Sequence, residues 1–142
     1  MESIQNPVLL DCCTIIGALE GKSNAVAFKE KLSKRKDMTI LVPDLVVSEV
    51  SRVAKMSAQA AEKAIRSFAH GNKVVRLQDD GAMVDAVALT VHYNYCHYPD
   101  SIYLIHSRNT GAVLVTYDRR LRDVARMEGI MASSPDNFRF YQ

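Results

Sequence analysis

The sequence contains few of the features that mark specialised classes of protein. Only 3 of its 142 residues are cysteine, and Cys12 and Cys13 are adjacent, so a framework of paired disulfides is excluded and reduced thiols are expected. No apolar run approaches the ~20 residues that a membrane-spanning helix needs, and residues 1–10 lack the basic start of a signal peptide. These absences predict a cytoplasmic protein without a membrane segment.

Charge of one sign is also lacking. The chain carries 18 basic and 16 acidic residues, and its formal net charge of +2 is too small to indicate a nucleic-acid-binding protein. Hydrophobic residues make up 48% of the sequence, which excludes a disordered chain. The length is that of one domain with a conventional core, so residues 1–142 are expected to form a single domain.

Short apolar runs alternate with longer segments of helical pattern. The candidate strands are Pro7–Asp11, Met38–Val42, Lys73–Leu77, Ala112–Thr116 and Asn137–Tyr141. Most are near-continuous runs of Val, Leu and Ile, which is typical of parallel strands covered on both faces. The segment from Asp44 to His70 is expected to form two helices with a break near Met56–Ser57. The pattern predicts an α/β fold with a mainly parallel sheet of four or five strands.

Four acidic residues stand out by their positions. Asp11 ends the first predicted strand, and Asp118 follows the end of the fourth strand by two residues. Asp100 begins the helix that leads into the fourth strand. Glu49 lies on the predicted apolar stripe of Leu45, Val46, Val50 and Val53, where an unpaired carboxylate is costly. Because ligands bind at the carboxyl ends of parallel strands, these positions favour a shared site.

Each of these acids also has a structural interpretation. Asp100 and Asp118 stand where helices need N-caps, and Asp11 could be an isolated carboxylate at the end of a strand. Glu49 could turn outward and pair with Arg52, three residues further along the helix. Taken singly, Asp100 and Asp118 are better explained as caps, and for Asp11 the two interpretations are balanced. Taken together, the structural interpretations weaken, because three of the four acids map to one end of the sheet.

The order of these residues resembles the PIN domain, the small metal-dependent ribonuclease fold that includes VapC-type toxins. The family's opening strand ending in Asp is matched by Val8-Leu9-Leu10-Asp11, and its apolar-apolar-x-Glu helix by Val46-Val47-Ser48-Glu49. The last third of the family pattern is matched by Asp100, the helical segment Ile102 to Thr110, Gly111, the strand Val113-Leu114-Val115 and the run Thr116-Tyr117-Asp118-Arg119-Arg120-Leu121. The resemblance therefore covers nearly the whole chain.

The resemblance implies a metal-dependent endoribonuclease with a three-layer α/β/α fold and an RNA substrate. The implied catalytic residues are Asp11, Glu49, Asp100 and Asp118. Asp11, Asp100 and Asp118 are the implied metal ligands. Carboxylate oxygens are hard donors of the kind that suit Mg²⁺ or Mn²⁺.

Further assignments concern the surroundings of the acids and the partners. Three neighbours are expected to orient the metal ligands: Thr116, Cys13 and Thr14. Three arginines near the acids are expected to contact RNA phosphates: Arg119, Arg120 and Arg52. A VapC-type toxin would also have a small antitoxin protein as its partner and would often form a homodimer.

The sequence departs from the family pattern beside the first acid and after the last one. Cys12 and Cys13 stand where the family usually has Thr followed by Ser or Asn, and Thr14 lies one position further on. Arg120 stands where a second acid often follows the last Asp. These departures keep open a second hypothesis, a PIN-like module that binds RNA or a protein partner without cutting.

Two other classes of α/β protein fit less well. A receiver-like signalling domain needs a second acid near Asp11 and a lysine at the end of a late strand, but the fourth strand here ends in Thr116. A phosphatase of the haloacid dehalogenase type needs a second Asp at the position of Cys13. Both classes are therefore disfavoured.

Overall fold

A computed structural model of the chain describes residues 6–140, in which five strands and seven α-helices form. In chain order the elements are β1 (Val8–Leu10), α1 (Cys12–Leu19), α2 (Ser23–Ser33), β2 (Thr39–Pro43), α3 (Asp44–Val53), α4 (Ala58–Ala69), β3 (Lys73–Leu77), a 3₁₀ turn (Asp80–Ala82), α5 (Met83–His92), α6 (Ser101–Thr110), β4 (Val113–Val115), α7 (Arg119–Met127) and β5 (Ala132–Ser133). Among these helices of residues 6–140, none is long and apolar enough to cross a bilayer.

The five strands form one parallel sheet in the order β3-β2-β1-β4-β5. The central strand, β1, pairs on one side with β2, where Val8 lies opposite Ile40, and on the other with β4, where Val8 lies opposite Val113. β2 and β3 therefore lie on one side of β1, and β4 and β5 lie on the other, so the strand order reverses at β1. A crevice at the carboxyl ends of two such strands is where open parallel sheets bind ligands.

The central strand shows that helices cover the sheet on both faces. Val8, Leu9 and Leu10 point alternately to opposite faces, and each is at most 1% exposed. A strand buried on both sides needs a layer of helices above and below it. The predicted three-layer α/β/α arrangement with a parallel sheet is confirmed.

The break predicted between Asp44 and His70 is confirmed, because α3 ends at Val53 and α4 begins at Ala58. The Ser57 hydroxyl accepts a hydrogen bond of 3.1 Å from the backbone N–H of Ala60 and so caps α4.

The predicted apolar stripe of α3 is wrong in its composition. The buried residues of this helix are Val46, Val47 and Val50, whereas Val53 is 44% exposed. Because the stripe turns away from Val53, Glu49 lies at its edge and is only half-buried.

The predicted strand over Asn137–Tyr141 is wrong. Residues 137–140 form no strand, and Tyr141 lies outside the described residues. The alternation of Phe138 and Phe140 that suggests a strand comes from ring packing instead, since both rings lie 5.4 Å from the ring of Phe28. The fifth strand is β5, whose two residues are too few to show a period in the sequence.

Candidate functional site

A cavity of about 220 Å³ lies where β1 and β4 lead into their following helices. Its lining consists of four carboxylates, two thiols, a phenol and a leucine: Asp11, Glu49, Asp100, Asp118, Cys12, Cys13, Tyr103 and Leu121. We call it the carboxylate cavity. The four acids predicted from the sequence come from four separate parts of the chain, and the fold brings all of them to this one cavity.

Asp11 is the most enclosed of the four acids, with 4% of its surface exposed. Its Oδ1 accepts hydrogen bonds from the backbone N–H and the hydroxyl of Thr14, at 3.1 and 3.0 Å, and its Oδ2 accepts one from the hydroxyl of Thr116. The bond from the Thr14 N–H caps α1. Asp11 is therefore fixed by a residue of α1 and by the residue that follows β4, and it also caps α1.

Burial raises the pKa of Asp11 to about 6. The hydrogen bonds from Thr116 and Thr14 favour the charged carboxylate and oppose this shift, while the charge of Asp100 adds to it. Desolvation is thus the larger effect, and a cation close to Asp11 would stabilise its charged form.

Thr116 connects Asp11 to the second strand-end acid, Asp118. Its hydroxyl donates to Asp11 and accepts a hydrogen bond of 3.1 Å from the backbone N–H of Asp118. The Oδ1 of Asp118 caps α7 by accepting from the N–H groups of Arg120 and Leu121, at 3.0 and 3.2 Å. The structural interpretation of Asp118 as an N-cap is confirmed, and the same residue also lines the carboxylate cavity.

Asp100 directly precedes α6, but its side chain makes no capping hydrogen bond. The N-cap interpretation of this residue is therefore wrong. Burial raises the pKa of Asp100, and the charges of Glu49 and Asp118 raise it further, whereas His97 lowers it. The carboxylates of the cavity thus repel one another, as expected for a site that accepts cations.

Glu49 turns into the cavity rather than toward Arg52. Its Oε1 accepts a hydrogen bond of 2.9 Å from the hydroxyl of Tyr103, and its Oε2 lies 3.5 Å from the donating thiol of Cys12. Within residues 6–140, Glu49 forms no ion pair with Arg52, which is exposed. The structural interpretation of Glu49 as a partner of Arg52 is therefore wrong.

Tyr103 and Cys12 line the cavity but were not among the site residues predicted from the sequence. Burial raises the pKa of Tyr103, and the neighbouring Cys13 and burial raise that of Cys12, so both groups stay protonated and can donate. Tyr103 lies three residues after Asp100, which directly precedes α6, and a spacing of three at the start of a helix brings two side chains to the same side. Tyr103 could therefore have been predicted from the sequence by its spacing from Asp100.

The other assigned residues fall into two groups. Thr14 and Thr116 hold Asp11 as described, and Cys13 lines the cavity with an exposed side chain. The three arginines proposed to contact RNA do not line the cavity and are exposed: Arg119 and Arg120 in the first turn of α7, and Arg52 near the end of α3.

The donor set of the cavity fits a hydrated divalent cation. Across residues 6–140, no three Asp, Glu, His or Cys side chains stand close enough together to form a complete metal-binding group. Mg²⁺ does not require such a group, because it keeps several waters and is commonly held by one or two carboxylates together with substrate phosphate. Carboxylate oxygens are also the donors that Mg²⁺ and Mn²⁺ prefer.

Three solved structures share the fold. A toxin-antitoxin complex from Klebsiella pneumoniae is 22% identical, with a TM-score of 0.59, and the match covers 90% of this chain and 97% of that one. A domain of a functionally unknown protein from Methanocaldococcus jannaschii is 19% identical with a TM-score of 0.59, covering 97% and 94%. A protein from Pyrobaculum aerophilum is 20% identical with a TM-score of 0.56, covering 92% of each chain.

Sequence comparison gives the family. No curated protein sequence matches the chain. The family model described as PIN domain matches residues 8–127, a span that runs from β1 to the end of α7 and includes all four acids of the carboxylate cavity. Since this match covers well over half of the sequence, the chain belongs to the PIN domain family.

Proposed function

We propose that the protein is a metal-dependent endoribonuclease that hydrolyses phosphodiester bonds of RNA in the carboxylate cavity. The observation that carries this proposal is the convergence of Asp11, Glu49, Asp100 and Asp118 on one cavity of about 220 Å³. Membership of the PIN domain family supports it, because the match to the family model spans all four acids. Carboxylates gathered at one point serve metal-assisted phosphodiester hydrolysis well.

In this proposal Asp11 and Asp118 would contact a hydrated Mg²⁺ or Mn²⁺ directly. Asp100 and Glu49 would complete the site through the waters of the cation, and one of them would orient the attacking water. The cation, when bound, lowers the pKa of a water and neutralises charge on the phosphate. Asp11 stays in place because Thr14 and Thr116 hold both of its oxygens. Each carboxylate oxygen has two lone pairs, so these bonds leave room for a further ligand.

The basic side chains around the cavity are proposed to bind the RNA backbone. Arg119 and Arg120 follow Asp118 directly and are exposed, and Arg52 lies one turn after Glu49 on α3. Guanidinium groups at such positions would contact phosphates on either side of the cut bond.

We also propose that the protein is the toxin of a toxin–antitoxin pair and forms a homodimer in the cytoplasm. The similar complex from Klebsiella pneumoniae supports a protein partner. A patch on the outside of α5, formed by Met83, Val84, Val87 and Val91, supports pairing, because Val84 is 80% and Val91 82% exposed. We call it the α5 face. Cys12, Cys13 and Cys96 are free thiols, as expected in a reducing compartment.

A second candidate function is a module that binds RNA or protein without cutting. It is favoured by Cys13, which stands where the family usually has a hydroxyl or amide, and by the two hydrogen bonds from Thr14 that already occupy Oδ1 of Asp11. This candidate predicts that Mn²⁺ does not raise the melting temperature of the protein.

The deciding experiment is cleavage of a labelled single-stranded RNA with Mn²⁺ or Mg²⁺, with and without EDTA. We expect metal-dependent cleavage that EDTA abolishes and that Asp11→Asn lowers by at least ~100-fold, since a ligand of the cation is lost. Asp80→Asn removes an exposed acid outside the cavity and should cleave like the wild type. Circular dichroism would verify that both variants fold.

Two outcomes would reject the endoribonuclease. One is cleavage that persists in EDTA or in Asp11→Asn, which would place the reaction elsewhere. The other is a wild-type protein that neither cleaves RNA nor gains thermal stability from Mn²⁺, which would favour the non-cutting module.

A further inference from the structure

Among the acids of the carboxylate cavity in residues 6–140, only Glu49 accepts hydrogen bonds from side chains of two helices other than its own. Tyr103 on α6 donates to Oε1 at 2.9 Å, and Cys12 on α1 donates to Oε2 at 3.5 Å. A glutamate has three rotatable side-chain bonds, and on its own it would sample several positions at the cavity wall. Two donors on its two oxygens restrict that freedom.

The packing of Tyr103 in the core does not by itself require a hydroxyl group. Tyr103 is 2% exposed, and its neighbours Ile102, Leu104 and Ile105 are buried apolar residues of the same helix. A phenylalanine would fill this place in the core, whereas a buried hydroxyl is costly unless it has a partner. The partner here is Glu49, and both residues line the cavity.

We propose that Tyr103 is a positioning residue: its buried hydroxyl holds the Glu49 carboxylate in the orientation that the site uses. The inference rests on the proposed function, and it adds a residue that the four-acid pattern does not contain. Tyr103 acts through Glu49 and does not contact the substrate in this role. A donor that fixes an acidic group beside a metal site commonly changes metal affinity or activity by 10–100-fold when it is removed.

The test is Tyr103→Phe, which deletes one oxygen atom and keeps the ring. The matched control is Tyr93→Phe, because the Tyr93 hydroxyl donates to Glu128 Oε2 at the same distance of 2.9 Å but lies outside the carboxylate cavity. Binding of Mn²⁺ without RNA would be measured by electron paramagnetic resonance, and kcat and KM by RNA cleavage at saturating Mn²⁺.

We expect Tyr103→Phe to raise the Kd for Mn²⁺ on the order of 10-fold and to lower kcat by a similar factor, with the KM for RNA unchanged. Tyr93→Phe should match the wild type in all three quantities. A residue that only packs in the core would lower the melting temperature without separating kcat from KM. Thermal unfolding of both variants would show that they are folded at the assay temperature.

A double-mutant cycle makes the dependence on Glu49 explicit. In a Glu49→Gln background, Tyr103→Phe should change the Kd for Mn²⁺ by less than about 2-fold, because the carboxylate that it positions is absent. An equal effect in both backgrounds would overturn the inference, and so would wild-type Mn²⁺ binding and kcat in Tyr103→Phe. A wild-type protein that binds no Mn²⁺ and cuts no RNA would instead reject the proposed function itself.

Discussion

At the scale of single residues, Asp11 combines two requirements that oppose each other. It is buried where it follows the central strand and begins α1, and in the proposed function it must be charged to hold a cation. Three hydrogen bonds from Thr14 and Thr116 reduce the conflict, yet its pKa still rises to about 6. When no cation is bound, the charged form of Asp11 is therefore less favourable in the folded chain than in water.

This conflict predicts how stability depends on pH in EDTA. The pKa of Asp11 is about 6 in the folded chain and 3.8 without burial. Between pH 3.8 and pH 6, the folded chain therefore keeps a proton on Asp11 that the unfolded chain has lost. The free energy of unfolding should therefore fall as pH rises from 4 to 6, by ~2 kcal/mol from this group. Urea unfolding across this range measures the change.

The Asp11→Asn variant isolates the contribution of this carboxyl, because it cannot titrate. The difference in the free energy of unfolding between wild type and variant should shrink or reverse from pH 4 to pH 6. A difference that stays constant over this range would show that Asp11 has an ordinary pKa in the folded chain.

The sequence was sufficient to nominate the four acids, because three of them stand next to a recognisable strand end or helix start and Glu49 interrupts a predicted apolar stripe. It was not sufficient to decide their roles. Whether Asp100 caps α6 and whether Glu49 faces Arg52 depend on side-chain directions that spacing does not determine. The hydrogen bond from Tyr103 joins residues 54 positions apart, and only the tertiary fold brings the two side chains together.

At the scale of elements, Asp79 joins two helices on which cavity residues lie. Its Oδ2 accepts a hydrogen bond of 2.8 Å from the backbone N–H of Leu45 in the first turn of α3, and its Oδ1 lies 2.8 Å from His106 Nε2 on α6. The His106 side chain is 7% exposed. Asp79 thus supplies the cap that α3 lacks from its own sequence, since Pro43 precedes that helix without a side-chain cap.

We predict that Asp79→Ala lowers the free energy of unfolding by about 2 kcal/mol, because α3 loses its cap and His106 loses its buried partner. Asp80→Ala is the matched control: it removes the adjacent exposed acid and should change the same quantity by less than about 0.5 kcal/mol. Urea denaturation followed by circular dichroism compares the two. Equal effects of the two substitutions would mean that the contacts of Asp79 do not stabilise the fold.

The elements could be predicted where local pattern and tertiary role agree. The predicted bounds Lys73–Leu77 match β3, and the helix break near Ser57 was visible as a cap. Agreement fails near the C-terminus, where the spacing of Phe138 and Phe140 resembles a strand but serves contacts with Phe28. A two-residue strand such as β5 has no periodic pattern of its own and depends on pairing with β4.

At the scale of the whole molecule, the α5 face is an apolar surface that stays exposed in the structure of residues 6–140. Exposed apolar residues of this size, gathered on one helix, are typical of a surface used in association. The homodimer remains a prediction, and so does the single-domain organisation of residues 1–142, which limited proteolysis would test.

The dimer prediction has a direct test in Val84→Asp/Val91→Asp. Light scattering after size-exclusion chromatography should give a dimer for the wild type and a monomer for this variant, because two charges would be buried in the interface. Leu19→Asp changes an apolar residue that is 50% exposed at the end of α1 and should stay dimeric. A monomeric wild type would contradict the prediction outright.

The strand order also has a consequence for protein synthesis. The hydrogen bond between Thr116 and Asp11 joins residues 105 positions apart, and the lining of the carboxylate cavity extends to Leu121. Chains emerge from the ribosome starting at the N-terminus, so β1 must wait for β4 before the cavity closes. A nascent chain shorter than 118 residues lacks Asp118 altogether. A cutting activity built on this cavity would therefore start only after Leu121 has left the ribosome, so that shorter nascent chains would lack it.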